Sequence, residues 1–160
     1  MKSVLLTQNK FTIIDDEDYK LISDYKWCVS EKRNNTFYAV TNTKDRKRLY
    51  LHRLIMEANK GDEIDHINHD TLDNRRSNLR ITNPQQQQWN RTKGHFPCSS
   101  EYKGVHWFKW GKRHKRWKAV ITVTRKTIFL GYFLHEIEAA REYDKAAIEY
   151  FGEYAYINGV

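Results

Sequence analysis

From Arg116 to Arg125 the side chains alternate, with Trp117, Ala119, Ile121 and Val123 on one side and Lys118, Val120, Thr122 and Thr124 on the other. A period of two is the signature of a half-buried strand, because successive side chains leave opposite faces. A second run, Thr127 to Phe133, follows across a tight connection. Ile137, Ala140, Tyr143, Ala147 and Phe151 then recur at helical spacing until Gly152 stops the helix. Together these patterns predict a small sheet covered by one helix, with the tyrosine and alanine stripe as core rather than as a cofactor site. One face of the sheet packs and the other is free to bind.

Charge suggests what that free face meets. Lys103 to Lys126 contains nine Lys or Arg and no Asp or Glu, interleaved with Trp107, Trp110 and Trp117. Cations mixed with flat aromatic faces suit a nucleic-acid surface. A solvated basic hairpin with tryptophans in its core would read the same way. Across the whole chain 28 Lys and Arg stand against 20 Asp and Glu, a formal charge of +8 that favours polyanionic partners. With 39% hydrophobic and 14% aromatic residues, one or two small cores are within reach and full disorder is excluded.

No stretch approaches the roughly 18 apolar residues that span a bilayer, and Val4 to Leu6 is too brief for a secretory core. The expectation is an intracellular, cytoplasmic protein with no membrane partner. Cys28 and Cys98 lie far apart, so neither a disulfide framework nor a Cys-x-x-Cys knuckle can form, and no zinc is expected.

Residues 1 to about 58 hold short apolar runs at Phe11 to Ile14, Tyr25 to Val29, Phe37 to Val40 and Arg48 to Leu51, punctuated by Asp15, Asp16, Asn34 and Asn35. These read as short strands. Glu63 to Lys93 comprises a brief apolar strand, a loop dense in Asn and Asp, and a polar helix over Gln85 to Asn90 that Asn83 and Pro84 would start. Gly94 to Ser100 carries little pattern and reads as a linker.

The span from Glu63 to Arg80 concentrates Asp, His and Asn around isolated apolar anchors. Asp65 is a hard oxygen ligand suited to Mg²⁺ or Mn²⁺, and its neighbour His66 can accept a proton near neutral pH. Taken alone, an Asp-His pair serves as easily in a turn or a cap. A strand carrying Asp65 and His66, a loop carrying Asn78 and an oxygen from the first turns of the helix could together surround one cation.

The run Asp65 to Asn68, then Asp73 to Arg80, then a Gln-rich helix ending Trp89-Asn90-Arg91, resembles the HNH motif of phage and intron homing endonucleases. Leu51 to Met56 is similar to the segment leading into that motif. Farther on, Tyr102 to Val105, Trp117 to Ala119, Phe129 to Phe133, Glu138 to Asp144 and Ala155 to Asn158 resemble the ethylene-response-factor or APETALA-type DNA-binding domain. The two resemblances imply an α+β chain. A strand-rich segment leads into a ββα-metal nuclease module over residues 1–94, a linker follows at 95–100, and a three-stranded antiparallel sheet packed on one helix occupies 101–160.

The implied activity is site-directed, metal-dependent hydrolysis of double-stranded DNA by a monomer from a phage or prokaryotic host. A relative that has lost cleavage and only binds DNA is the alternative. By resemblance, His66 is the general base, Asp65 ligates one divalent metal, Mg²⁺ or Mn²⁺, and Asn78 holds the motif loop and orients the histidine. The last motif position, usually His or Asn and a second metal ligand, falls on Gln87, nine residues past Asn78. Glutamine keeps the amide oxygen on a side chain one methylene longer. The resemblance turns His106, Phe108, Lys118, Thr122, Thr124 and Arg125 toward the major groove, with Lys109, Lys112, Arg113, Lys115 and Arg116 mostly on phosphates. Tyr102, Gly104 and Trp117 are expected to serve the fold.

Overall fold

A computed structural model describes residues 1–32, 35–94, 98–109 and 117–160. The chain forms two compact units, Met1–Pro84 and Gln85–Val160.

In the first unit β1 (Lys2–Leu5) and β2 (Phe11–Ile14) pair as an antiparallel hairpin. A short helix α1 (Tyr19–Ile22) follows, then a three-stranded antiparallel sheet of β3 (Cys28–Lys32), β4 (Thr36–Asn42) and β5 (Arg48–Tyr50), with β4 central. Helix α2 (Leu51–Ile55) leads to a two-stranded ribbon of β6 (Glu63–His66) and β7 (Leu79–Thr82). Leu6, Ile14, Ile22, Trp27, Ala39, Leu51, Ile55 and Leu79 form one core drawn from nearly all of these elements. At about 1.5–3 kcal/mol per large apolar side chain removed from water, that cluster is the main force holding hairpin, sheet and ribbon together.

Two expected strands are displaced. The run Tyr25 to Val29 enters a strand only at Cys28, because Trp27 is buried and its indole N–H donates to the Ile22 carbonyl at 3.0 Å, which keeps the chain turning. The run Arg48 to Leu51 stops at Tyr50, where Leu51 opens a helix that buries Leu51 and Ile55 one turn apart.

The β1–β2 hairpin is stitched to the Asn- and Asp-rich loop. Ile13 N–H donates to Leu72 O at 2.9 Å and Asn74 N–H donates to Ile13 O at 2.8 Å. Arg76 adds an ion pair to buried Asp18, Nη2 to Oδ1 at 2.7 Å, and its backbone N–H donates to Asp15 Oδ2 at 2.8 Å.

Helix α3 (Pro84–Asn90) begins at the unit boundary. Within the second unit Trp89 stacks on Phe151 at 4.8 Å between ring centroids, and its carbonyl accepts from Lys103 Nζ at 2.7 Å. Strands β8 (Val105–Trp107), β9 (Trp117–Val123) and β10 (Lys126–Phe133) form an antiparallel sheet with β9 central, covered by α4 (Glu136–Phe151). Ala119 and Ile121 meet Ala139, Ala140, Tyr143, Ala147 and Phe151, the face that the alternation and helical spacing predict. Ile137 is an exception: it is exposed, and the small Ala139 and Ala140 sit against the sheet in its place.

Strand β9 also ends earlier than the alternation suggests. Thr124 and Arg125 both take positive φ, 46° and 66°, and make the two-residue turn into β10 instead of continuing the strand face. Positive φ at both central positions matches the right-handed twist of the paired strands. Gly104, at φ 77°, has no room for a side chain: a Cβ there would fall 2.0 Å from the Tyr143 ring and 2.6 Å from the Val120 carbonyl. At the far end Asp144 accepts from Asn158 N–H and Nδ2 at 2.8 and 2.9 Å, and Asn158 Oδ1 takes the Lys103 N–H at 2.7 Å. No helix among the described residues is long and apolar enough to cross a membrane.

Candidate active site and nucleic-acid face

The ribbon register sets Asp65 across from Arg80 and His66 across from Leu79. Asp65 Oδ2 accepts from Arg80 Nη2 at 2.7 Å and Nε at 3.0 Å, and the two side chains keep only 14% and 11% of their surface. Successive strand positions face opposite ways, so Asp65 and His66 do not share a face of β6. Asp65 thus lies in a largely buried ion pair on one face, and the imidazole of His66 is directed to the other.

His66 is 5% exposed and lies in a box of rings. His52, from α2, meets it edge to face at 5.3 Å between centroids, and Tyr38, from β4, lies 6.4 Å away. Tyr50 in turn lies 5.5 Å from His52. Nε2 of His66 is 3.3 Å from Asn74 Oδ1. Burial pushes the His66 pKa down, against the hydrogen bond to Asn74 Oδ1 and the charges of Asp65, Asp70 and Asp73. His52 is pushed down to about 3, by burial first and then by His66 and Arg53. Both rings are therefore neutral near pH 7, the form of an imidazole that can take a proton.

Asn78, also buried, closes the loop between the two strands. Its Oδ1 accepts the Asn68 N–H at 3.0 Å and its Nδ2 donates to Asp73 O at 2.8 Å, while its carbonyl takes the Ile67 N–H at 2.9 Å. Asp73 is occupied by Arg75, through Nε at 2.7 Å and Nη2 at 2.6 Å, and by Asn68 Nδ2 at 2.9 Å; the Arg75 hydrogen bond holds its carboxyl below the usual range. The density of Asn and Asp in this segment is thus largely consumed by the turn itself, as short polar side chains do where they replace ladder partners.

A magnesium-type cation binds through one or two carboxylates together with substrate phosphate oxygens rather than in an all-protein cage. Asp65 fits that chemistry as a carboxylate, with Arg80 as the group a cation would have to share it with or displace. Among the described residues no three His, Cys, Asp or Glu side chains converge on one point. Gln87 stands on α3, in the second unit.

On the second unit, Lys118 lies directly across from His106 on β8 and from Tyr132 on β10, Val120 across from Phe129, and Thr122 across from Thr127, their hydroxyls 3.3 Å apart. Phe108 meets Tyr132 at 5.1 Å between centroids and Tyr132 meets Phe129 at 4.9 Å. Lys118 Nζ sits 5.9 Å over the Phe129 ring, and Phe129 remains 52% exposed. The sheet therefore gathers His106, Phe108, Lys118 and Thr122 on one face. Thr124 and Arg125 lie at the hairpin tip, and Lys109 follows the end of β8. Lys112, Arg113, Lys115 and Arg116 lie outside the described residues.

Several residues of these two sites are not among the candidates from the sequence. Tyr38 and His52 lie against His66 from β4 and α2, Asn74 meets it from the loop of the motif, Thr12 stands behind Asn74 on β2, and Phe129 and Tyr132 complete the aromatic face from β10. Pairing register could have found the last two, since residues opposite one another on neighbouring strands share a face.

Residues 49–88 match the family of HNH endonucleases. A protein of Acanthamoeba polyphaga mimivirus, named as an uncharacterized HNH endonuclease, is 30% identical over 156 residues, which take in 94% of this chain and 75% of the relative.

Proposed function

Starting from the fact that the chain belongs to the HNH endonuclease family, we propose that it is a site-directed, metal-dependent DNA endonuclease of the homing type. The observation that carries this reading is His66: a buried imidazole, kept neutral, with a hydrogen bond at only one ring nitrogen among the described residues. Such a ring can take a proton from water as the water oxygen forms its bond to phosphorus and the bond from phosphorus to the leaving sugar oxygen breaks. General-base assistance of this kind contributes about 10²–10⁴-fold. A divalent ion, Mg²⁺ or Mn²⁺, held by Asp65, would stabilise the charge that grows on the phosphate. Asn78 keeps the loop closed around the strand that carries both residues, and Gln87 is the second ligand assigned by the resemblance.

The sheet of the second unit is proposed as the reader, in the manner of the ethylene-response-factor domain it resembles. Lys118, His106, Phe108 and Thr122 would face the bases, with Lys109, Lys112, Arg113, Lys115 and Arg116 on phosphates. Where the plant domains use arginines this chain has His106 and Phe108, so its target sequence is its own. Tethering a weakly specific nuclease to a reader raises the local concentration of the cutting site near the bound sequence.

The test is cleavage of duplex DNA carrying candidate sites in Mg²⁺ or Mn²⁺. His66→Ala is expected to abolish cleavage and leave binding intact; undiminished cleavage by that variant would remove His66 as the base. A second reading, a DNA-binding protein that no longer cuts, is favoured by one observation, the hold of Arg80 on the Asp65 carboxylate. Exchange of Gln87 for His or Asn separates the two. If both variants bind DNA and remain inert with metal, the binding protein is the better description.

A further inference from the structure

The groups behind His66 determine which of its nitrogens carries the proton. Thr12, on β2, is completely buried, and its hydroxyl lies 2.7 Å from the Leu72 carbonyl. A carbonyl can only accept, so the single proton of Thr12 is committed there. The Thr12 oxygen can then only accept from the Asn74 side chain, 2.7 Å away, which places the Asn74 amide nitrogen toward Thr12 and its oxygen toward His66. An amide oxygen has no proton to give. His66 Nε2, 3.3 Å from that oxygen, must supply the hydrogen.

The neutral ring thus bears its proton on Nε2 and its lone pair on Nδ1. Among the described residues no buried side-chain nitrogen or oxygen lacks a hydrogen bond, and none is made to Nδ1, so that atom reaches solvent. We infer that Thr12 and Asn74 are positioning residues, a relay from the N-terminal hairpin that fixes the tautomer of His66 and presents Nδ1 as its basic atom. The inference rests on the reading of His66 as the base. When Nδ1 takes a proton from water, breaking one O–H bond, the ring becomes an imidazolium whose Nε2–H still has Asn74 Oδ1 to donate to. The hairpin is anchored for this task by the backbone bonds of Ile13 to Leu72 and Asn74, on either side of the relay.

The experiment is a long-range ¹H–¹⁵N spectrum of the full chain at neutral pH, with the His66 ring assigned by its loss in His66→Gln, alongside DNA cleavage in Mg²⁺. In the unaltered chain the ring is expected to show the proton on Nε2 alone. Thr12→Val keeps the shape but removes the acceptor that orients Asn74; there the two tautomers should mix, and cleavage should fall by about 10-fold or more, within the range a general base supplies. Thr12→Ser, which keeps the hydroxyl, should restore the single tautomer. A ring protonated on Nδ1 in the unaltered chain overturns the inference even if Thr12→Val fails to fold, and so does an identical tautomer in the unaltered chain and Thr12→Val. A ring fixed on Nε2 and released by Thr12→Val, in a chain that never cuts, supports the relay and overturns the endonuclease reading.

Discussion

One carboxamide, that of Asn78, spans the turn between the ribbon strands, and it does so by giving a hydrogen to Asp73 O and taking one from Asn68 N–H. Replacing it with alanine leaves both backbone groups in a largely buried setting. Each unsatisfied group costs about 1–3 kcal/mol, so Asn78→Ala is expected to lower unfolding free energy by about 2–6 kcal/mol, read from urea denaturation. His52 gives a second prediction, on pH. Its pKa falls from 6.5 in the unfolded chain to about 3 in the folded one, so between those values the unfolded state binds more protons. The stabilisation is complete above pH 6.5 and drains away as pH falls toward 3, with a slope of up to ~1.4 kcal/mol per pH unit. Carboxylates held low, such as Asp73, act mainly below pH 3.8, which leaves the interval above it to the imidazoles. His52→Phe should flatten the urea midpoint between about pH 4 and 6.5 relative to the unaltered chain; equal slopes would contradict the assignment.

At the scale of elements, the sheet and helix of the second unit depend on the close approach of β8 to α4. Gly104→Ala forces a Cβ to within 2.0 Å of the Tyr143 ring at a φ that disfavours any side chain, so it should destabilise the unit by several kcal/mol and drop its thermal midpoint. The open side of the same sheet should act on DNA, not on stability. Lys118→Ala is expected to weaken duplex binding by about 1–3 kcal/mol and relax sequence preference at the base pair it meets, while leaving the melting temperature within a degree or two. This unit was legible in the sequence because both periods coincide with its packing: Ala119 and Ile121 turn inward with two-residue spacing, and Tyr143, Ala147 and Phe151 with helical spacing. The failures sit at ends, Thr124 and Arg125 in the turn and Ile137 at the start of the helix, where local twist and capping override an average period.

For the molecule as a whole, the question is how a family motif in residues 49–88 is supported by the rest of the chain. If cleavage proceeds through a divalent ion as proposed, chelation should abolish it reversibly, Mg²⁺ or Mn²⁺ should restore it, and duplex binding by the sheet of the second unit should survive chelation. Loss of binding together with cleavage would tie the reader to the metal and contradict a separate role for that sheet.

The sequence determined the family motif, the basic and aromatic stretch, and the alternation of the second sheet, because each is a local pattern whose spacing is read along the chain. It also named His66 and Asn78 by their place in the motif. Only the tertiary structure brought Tyr38 and His52 against His66, set Thr12 behind Asn74 and placed Arg80 on Asp65. Those contacts join residues up to 62 positions apart, such as Thr12 and Asn74. They depend on how hairpin, sheet and ribbon pack around a shared core, which no periodicity encodes.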